Sequence, residues 1–343
     1  MLRNARLTGF AAAFTLSLAA QSPASAQDNF YAGKVVRFVV SGGGAYEAYA
    51  RLFAQYMPNY IPGKPAMIVQ EMPGGGGIRA ASFLNTVAPK DGTVLGALHG
   101  SVITAPLLQP GVADFDVTKF NWLGNASRDA YIGYVTKSSP VQSLEEAKTR
   151  ELIVGGTSLG SNGIDMAIIG RDLFGLKFKI IPGYKTSDET KLAMERGEIN
   201  GTVGSTWGSL KATDWVQRGA VKVILQHGAK PHPELLNVPL FGDYAKTDLD
   251  RQILDVMRVR GEFTRPYVAP PGVPKERVEM LRTAFMQVVR DPGFLADVAR
   301  RGLEFDSPTS GADLTAEIER VSRTPPETIA RLLQVLGSFN DGK

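Results

Sequence analysis

From residue 34 onward, short β-branched runs alternate with amphipathic stretches, the pattern of βα units built on mainly parallel sheets. Residues 35–40 read as a first strand. Tyr46, Tyr49, Ala50, Phe53, Ala54 and Met57 then recur at helical spacing and place one apolar face on the segment that follows. The same reading gives a strand at 67–70, a helix at 78–87 and a strand at 93–98. Further on come a strand at 132–136, a short helix at 143–148, a strand at 152–154, a helix at 162–174 and a strand at 178–181. A helix at 187–196 and strands at 202–203 and 221–225 complete that series. Pro231, Pro233 and Pro239 punctuate an irregular connection, after which 267–269 reads as a strand and 275 onward as helical.

Two such series predict an α/β protein of two lobes, each a mainly parallel sheet flanked by helices. Ser138, Ser139 and Pro140 break the strand at 132–136, which puts the expected crossing into the second lobe near 136. The expected organisation is a leader at 1–26, lobe one at 27–135, lobe two at 136–264 and a return to lobe one at 265–343. Two crossings are the arrangement that permits hinge closure around a ligand.

The leader follows from its own pattern. Arg3 and Arg6 precede an apolar stretch from Leu7 to Ala20, and Ala24, Ser25 and Ala26 form a small-residue site. That is the layout of a secretory signal peptide cleaved after Ala26; the apolar core is about 14 residues long, where a spanning helix needs ~20. The absence of a cysteine after the small residues argues against a lipid-anchored form. The expected destination is the bacterial periplasm, a compartment poor in ATP and nicotinamide cofactors.

Charge and composition narrow the chemistry. Of 343 residues, 38 are Lys or Arg and 34 Asp or Glu, so the net charge is only +4 and no basic stripe for nucleic acid is present. Cysteine is absent, which excludes disulfides, thiolate nucleophiles, zinc–cysteine sites and iron–sulfur clusters. The three histidines, His99, His227 and His232, include no pair at i, i+4, so zincin-type metal chemistry is not expected. No cofactor and no metal are expected.

The placement of glycine is the informative feature. Ser41, Gly42, Gly43 and Gly44 follow the first strand and precede the first helix. Gly74, Gly75, Gly76 and Gly77 repeat the device after the second, and residues 155–163 repeat it in the second series with added hydroxyls. Glycine there lets backbone N–H groups at helix starts face a ligand, and in open α/β sheets ligands bind beyond the carboxyl ends of strands. Together the loops describe an anion-binding cleft between lobes. Two other readings compete with it. Gly75-x-Gly77-x-x-Ala80 is a relaxed dinucleotide fingerprint, but no acidic residue closes a second strand about 20 residues on. Gly156-x-Ser158-x-Gly160 matches a nucleophile elbow, which makes a secreted serine hydrolase using Ser158 the alternative function, although its histidine would have to be His227 or His232 in or beside the proline-rich connection.

Single residues add less. Glu47 suits the macrodipole of its helix, and His99 follows the third strand and could line the cleft. Tyr184 and Trp207 could wall a ligand or pack in a core, and Arg79 and Arg128 could pair a carboxylate or sit in solvated salt bridges.

The leader, the glycine loop with Glu47, Ala50 and Arg51, the run from Glu71 through Pro73 to Gly77, and the run from Ala88 to Thr93 resemble the substrate-binding receptors of tripartite tricarboxylate transporters, the Bug family. Residues 155–163, Pro182-Gly183-Tyr184, the run from Ala269 to Pro274, and Gly302 continue the match in order over nearly the whole mature chain. The resemblance implies a type 2 periplasmic binding protein without catalysis, a monomer that captures a small carboxylate and delivers it to an integral membrane permease. It implies that one carboxylate is held by the lobe-one loops and the distal end is read by lobe two. The ligand-binding set it suggests is Ser41, Gly43, Gly44, Ala45, Tyr46, Gly74, Gly75, Gly76, Gly77 and His99 on one side, with Ser158, Ser161, Asn162, Tyr184 and Thr206 opposite. Where many members carry proline and aspartate in the first loop, this chain has Ser41 and Glu47, and Gly76 replaces a frequent alanine.

Overall fold

The computed structural model describes residues 29–42, 45–157, 159–184, 187–211, 213–303, 305 and 307–341. The expected leader at 1–26 lies outside them.

In chain order the first lobe opens with β1 (Val35–Val40), α1 (Ala45–Tyr56), β2 (Ala66–Glu71), α2 (Ile78–Thr86), β3 (Val94–Ala97), α3 (Ser101–Leu108) and β4 (Asn121–Asn125). Then follow β5 (Tyr131–Thr136), α4 (Leu144–Ala147), β6 (Leu152–Gly155), α5 (Asn162–Asp172), β7 (Phe178–Ile181), α6 (Ser187–Glu195), β8 (Gly201–Thr206), α7 (Trp207–Lys211), β9 (Val221–His227) and α8 (Asp248–Glu262). The chain ends with β10 (Pro266–Ala269), α9 (Lys275–Val288), α10 (Pro292–Arg300), β11 (Thr309–Ser310), α11 (Gly311–Ser322) and α12 (Pro326–Asp341).

These strands form two sheets, ordered β11-β4-β10-β3-β1-β2 and β7-β6-β8-β5-β9. The fold is α/β and two-lobed. In each sheet three neighbouring strands are parallel, β2, β1 and β3 in the first and β7, β6 and β8 in the second. A strand of opposite direction lies beside each parallel set: β10 beside β3, and β5 beside β8. Those two are the strands by which the chain enters one sheet from the other, so they run back from the shared edge.

Sheet membership moves the first crossing. Tyr131–Thr136 pairs with β8 and β9, so the chain changes sheets between Asn125 and Tyr131, earlier than the 135/136 boundary read from the sequence. The physical reason is that Ser138 to Pro140 end a strand already in the second sheet instead of introducing it. The C-terminal segment likewise does not stay with the first sheet: α12 reaches α5, where Ser338 Oγ donates to Asp172 Oδ2 at 2.5 Å. One continuous apolar cluster runs from Val39, Leu84 and Val102 through Val256 and Leu332 to Ile168 and Phe178, joining both lobes. A second cluster, built on Phe38, Phe53, Tyr267 and Phe285, fills the outer face of the first sheet, and a third, with Tyr134, Trp207 and Trp215, fills that of the second.

A polar tie penetrates the shared side. Arg260 of α8 and Asp165 of α5 form an ion pair at 2.7 Å whose side chains are 4% and 3% exposed. The same guanidinium donates through Nε to Thr104 Oγ1 of α3 at 2.9 Å, and Asp165 Oδ1 accepts from the Gly160 amide at 2.9 Å. Removing one member leaves a buried charge without its counterion, so Asp165→Ala is expected to lower unfolding free energy by about 3–5 kcal/mol, whereas the double variant Asp165→Leu with Arg260→Met recovers most of that loss. Denaturant titration of the three proteins checks this; equal stability of the single variant and the wild type would contradict it.

Candidate ligand cleft

A cavity of about 610 Å³ opens where the ends of both sheets face each other. On the first wall lie Tyr46 at the start of α1, Gly75 and Gly76 after β2, His99, Gly100 and Ser101 between β3 and α3, and Arg265 just before β10. On the second lie residues of the loop after β6, the start of α5, and the end of β8 with Thr202, Ser205 and Thr206.

The four-glycine loop has a backbone reason. Gly74, Gly75, Gly76 and Gly77 all have positive φ, at 138°, 57°, 61° and 99°, a run that side chains with a Cβ rarely adopt. Ser101 Oγ donates to Gly76 O at 2.9 Å and holds the loop against the start of α3. On the other wall Gly204 meets Gly163 so closely that a Cβ on Gly204 would stand 2.4 Å from the Gly163 Cα, so β8 and α5 touch backbone to backbone beneath the cleft.

Of the residues expected to bind, Tyr46, Gly75, Gly76, His99, Ser161, Asn162 and Thr206 come together around this cavity. Ser41 is buried behind it, where its Oγ accepts the His99 amide at 2.8 Å. Gly77 packs on Val102 and Gly74 against the Arg79 side chain, and neither lines the space. Tyr184 packs across Gly155 at the edge of the third apolar cluster, and Ala45 is the first residue of α1, its side chain outside what is described. Gly43, Gly44 and Ser158 lie outside the described residues.

The other named side chains are committed elsewhere. Arg79 reaches Pro73 O, Arg128 bonds Thr309 Oγ1 at 3.2 Å, and Trp207 is buried with its indole N–H on Glu234. Glu47 bonds Arg51 Nε at 2.7 Å, and that bond, with a second to Glu71, holds its carboxyl below the usual range while Glu71 is raised. For the hydrolase reading, the His227 ring meets Val203 O at 2.7 Å and His232 Nδ1 accepts the Glu234 amide.

Arg265 and Tyr131 were not singled out from the sequence. Because β10 and β5 run opposite to their parallel neighbours, their amino-terminal ends sit where the other strands' carboxyl ends do, so both side chains reach the cleft. The Arg265 guanidinium lies 4.1 Å from the Tyr46 ring centre and 5.5 Å from that of Tyr49. Its Nη1 donates to Thr264 O at 2.9 Å, while its Nε is buried with no hydrogen-bond partner. Among the described residues it forms no ion pair, and no carboxylate lines the cavity. The second lining arginine, Arg260, is neutralised by Asp165.

His99 stacks on Tyr46 at 3.8 Å with an interplanar angle of 10°. Burial, and then the charge of Arg265, lower its pKa from 6.5 to about 4, so the imidazole beside the arginine is neutral at pH 7. Burial lowers His227 to about 4 as well, against the opposing bond to Val203. Among the described residues no group of His, Asp and Glu could hold a metal ion, and no helix is long and apolar enough to cross a membrane.

No model of a protein family matches the chain. A UPF0065 protein from the gbd 5′ region of Cupriavidus necator is 26% identical over 309 residues, covering 86% of each chain. Among solved structures, a TctC solute-binding protein from Polaromonas superposes with a TM-score of 0.66 at 19% identity, covering 90% of this chain and 99% of that one. An R. palustris protein solved with adipate gives 0.63 at 20% identity, covering 89% and 98%. MatC of Rhodopseudomonas palustris, solved with bound malate, gives 0.62 at 18% identity, covering 88% and 99%. The chain is thus similar in sequence to a UPF0065 protein over most of its length and in fold to solute-binding proteins over nearly all of it: it has the fold of a two-lobed periplasmic binding protein.

Both histidines have folded-state pKa values depressed below the unfolded value of 6.5, so their contribution to stability is present above that pH and is lost as pH falls from 6.5 toward 4. Unfolding free energy measured in urea should fall over this window by up to about 3 kcal/mol per histidine and flatten below it, with a shallower fall in His99→Gln. A profile unchanged between pH 7 and 4.5 would contradict the assignment.

Proposed function

We propose that this chain is a periplasmic solute-binding receptor that captures a small carboxylate between its lobes and presents it to the membrane permease of a tripartite tricarboxylate-type transporter. The observation that carries the reading is Arg265, a cation in a cleft lined by no carboxylate, with a buried Nε that has no partner. A guanidinium so placed is costly until an anion joins it, and a carboxylate matches its donor geometry. The start of α3 and the Gly75 and Gly76 backbone lie beside it, adding polar backbone to the same wall. The relatives solved with adipate and malate support a carboxylate as the bound class, and the secretory pattern at 1–26 supports the compartment.

The Bug family is the group to which we assign the chain, with a cleaved leader, the lobe division at the two sheet crossings, and closure of the walls on the ligand as parts of the same reading. Binding without chemical change is favoured over hydrolysis, because the His227 ring is engaged by Val203 O and the His232 ring by the Glu234 amide.

Arg265→Gln tests this reading. A panel of mono- and dicarboxylates should raise the melting temperature of the wild type, and the substitution should weaken the best of them by about 1.5–3 kcal/mol, tenfold or more, with the far-ultraviolet circular dichroism unchanged. If no carboxylate stabilises the wild type, or if the variant binds as well as it does, the proposal fails.

A further inference from the structure

The two walls of the cleft differ in charge. The first holds Arg265, which forms no ion pair among the described residues; Asp129, outside the lining, acts on it through its charge alone. The second presents Thr157, Ser161, Thr202, Ser205, Thr206 and Ser209, neutral groups able both to donate and to accept. Its positive features are already offset. Asp165 stands in the first turn of α5, bonded to the Gly160 amide, so the helix start that faces the cleft carries its own carboxylate. Arg260 is paired with that same Asp165, and the ammonium of Lys191 lies 3.2 Å from Asp188.

Ser161 is the telling residue on this wall. It occupies the N-cap position of α5, where a serine hydroxyl ordinarily accepts an N–H of the first turn, yet it makes no such bond. Its Oγ is buried and has no partner in the protein. A buried hydroxyl left unpaired costs free energy, and a bound molecule lying between the walls can supply the missing bond. Two orphaned polar atoms, Arg265 Nε on one wall and Ser161 Oγ on the other, therefore bracket one cavity.

We infer that the ligand is a hydroxylated monocarboxylate, its single carboxylate against Arg265 and its neutral hydroxyl-bearing remainder against Ser161 and the hydroxyls around it. This rests on the carboxylate reading above and narrows it. A second carboxylate would meet a wall whose described cations, Arg260 and Lys191, each already face an aspartate, whereas alcohol groups there would exchange bonds to water for bonds of the same kind. The expected ligand thus differs from the adipate and malate of the two R. palustris relatives.

Calorimetric titration of the purified protein with three six-carbon acids separates the cases: hexanoate, adipate and gluconate, with sorbitol as the uncharged control. Gluconate is expected to bind at least tenfold more tightly than hexanoate or adipate, with no binding of sorbitol. Ser161→Ala should weaken gluconate about threefold to tenfold and leave hexanoate unchanged, while Arg265→Gln should weaken all three acids. Adipate as the tightest ligand, with its advantage lost in Lys191→Gln, would overturn the inference and leave the carboxylate reading standing. Hexanoate binding as tightly as gluconate would also overturn it, since the hydroxyl wall would then contribute nothing. Sorbitol binding in place of the acids, or no binding by any of the four at millimolar concentration, would remove the carboxylate reading itself.

Discussion

The buried pair of Arg260 and Asp165 is the constraint on which the cleft depends. Three helices meet at it: α8 supplies the guanidinium, α5 the carboxylate and α3 the hydroxyl of Thr104. The carboxylate also fixes the Gly160 amide, so the loop that forms the second wall is tied through Asp165 and Arg260 to α3, whose start lies on the first. Two ions with side chains only 4% and 3% exposed are tolerable because each neutralises the other, while the guanidinium also donates to Thr104 Oγ1 and the carboxylate also accepts the Gly160 amide. Charge neutralisation here also bears on the chemistry next door, since it leaves Arg265 as the lining arginine without an ion pair among the described residues.

Strand direction decides what that neighbouring cation can do. In a purely parallel sheet only the carboxyl ends of strands and the helix starts beyond them face the ligand. Reversal of β5 and β10, forced by the passage of the chain from one sheet to the other and back, brings two amino-terminal ends to the same edge. Tyr131 and Arg265 arrive there, and the Arg265 guanidinium lies against the rings of Tyr46 and Tyr49, with no ion pair among the described residues. His99, kept neutral beside it, adds no second charge to compete for the anion.

Where local pattern carries the signal, the chain was legible. The strands 35–40 and 178–181 fall where the β-branched runs place them, the apolar face of α1 follows the spacing from Tyr46 to Met57, and α2 and α5 lie within the helices read at 78–87 and 162–174. Both glycine loops singled out beyond β2 and β6 border the cavity, and Gly75, Gly76, Ser161 and Asn162 lie in its lining. Among the elements that went unread are β4, α3 and α8. The short β4 carries no alternation, α3 contains Pro106, and α8 lies beyond a proline-rich connection. A signal for α8 was available in Thr247 and Asp250, which form a reciprocal cap at its start.

The sequence by itself determined the βα rhythm, the glycine-bearing helix starts, the absence of thiol chemistry and the resemblance to carboxylate receptors, because each is written in the order of neighbouring residues. Only the tertiary structure decided which charges remain unpaired. Asp165 and Arg260 are 95 positions apart, and nothing in the chain order says that they cancel. Arg265 carries no motif, and its importance comes from a reversed strand that delivers it to the cleft and from the lack of a carboxylate there to meet it. Pairing of charges is a property of three-dimensional proximity and of the low dielectric that enforces it, so it is settled only when the two sheets and the helices between them have packed.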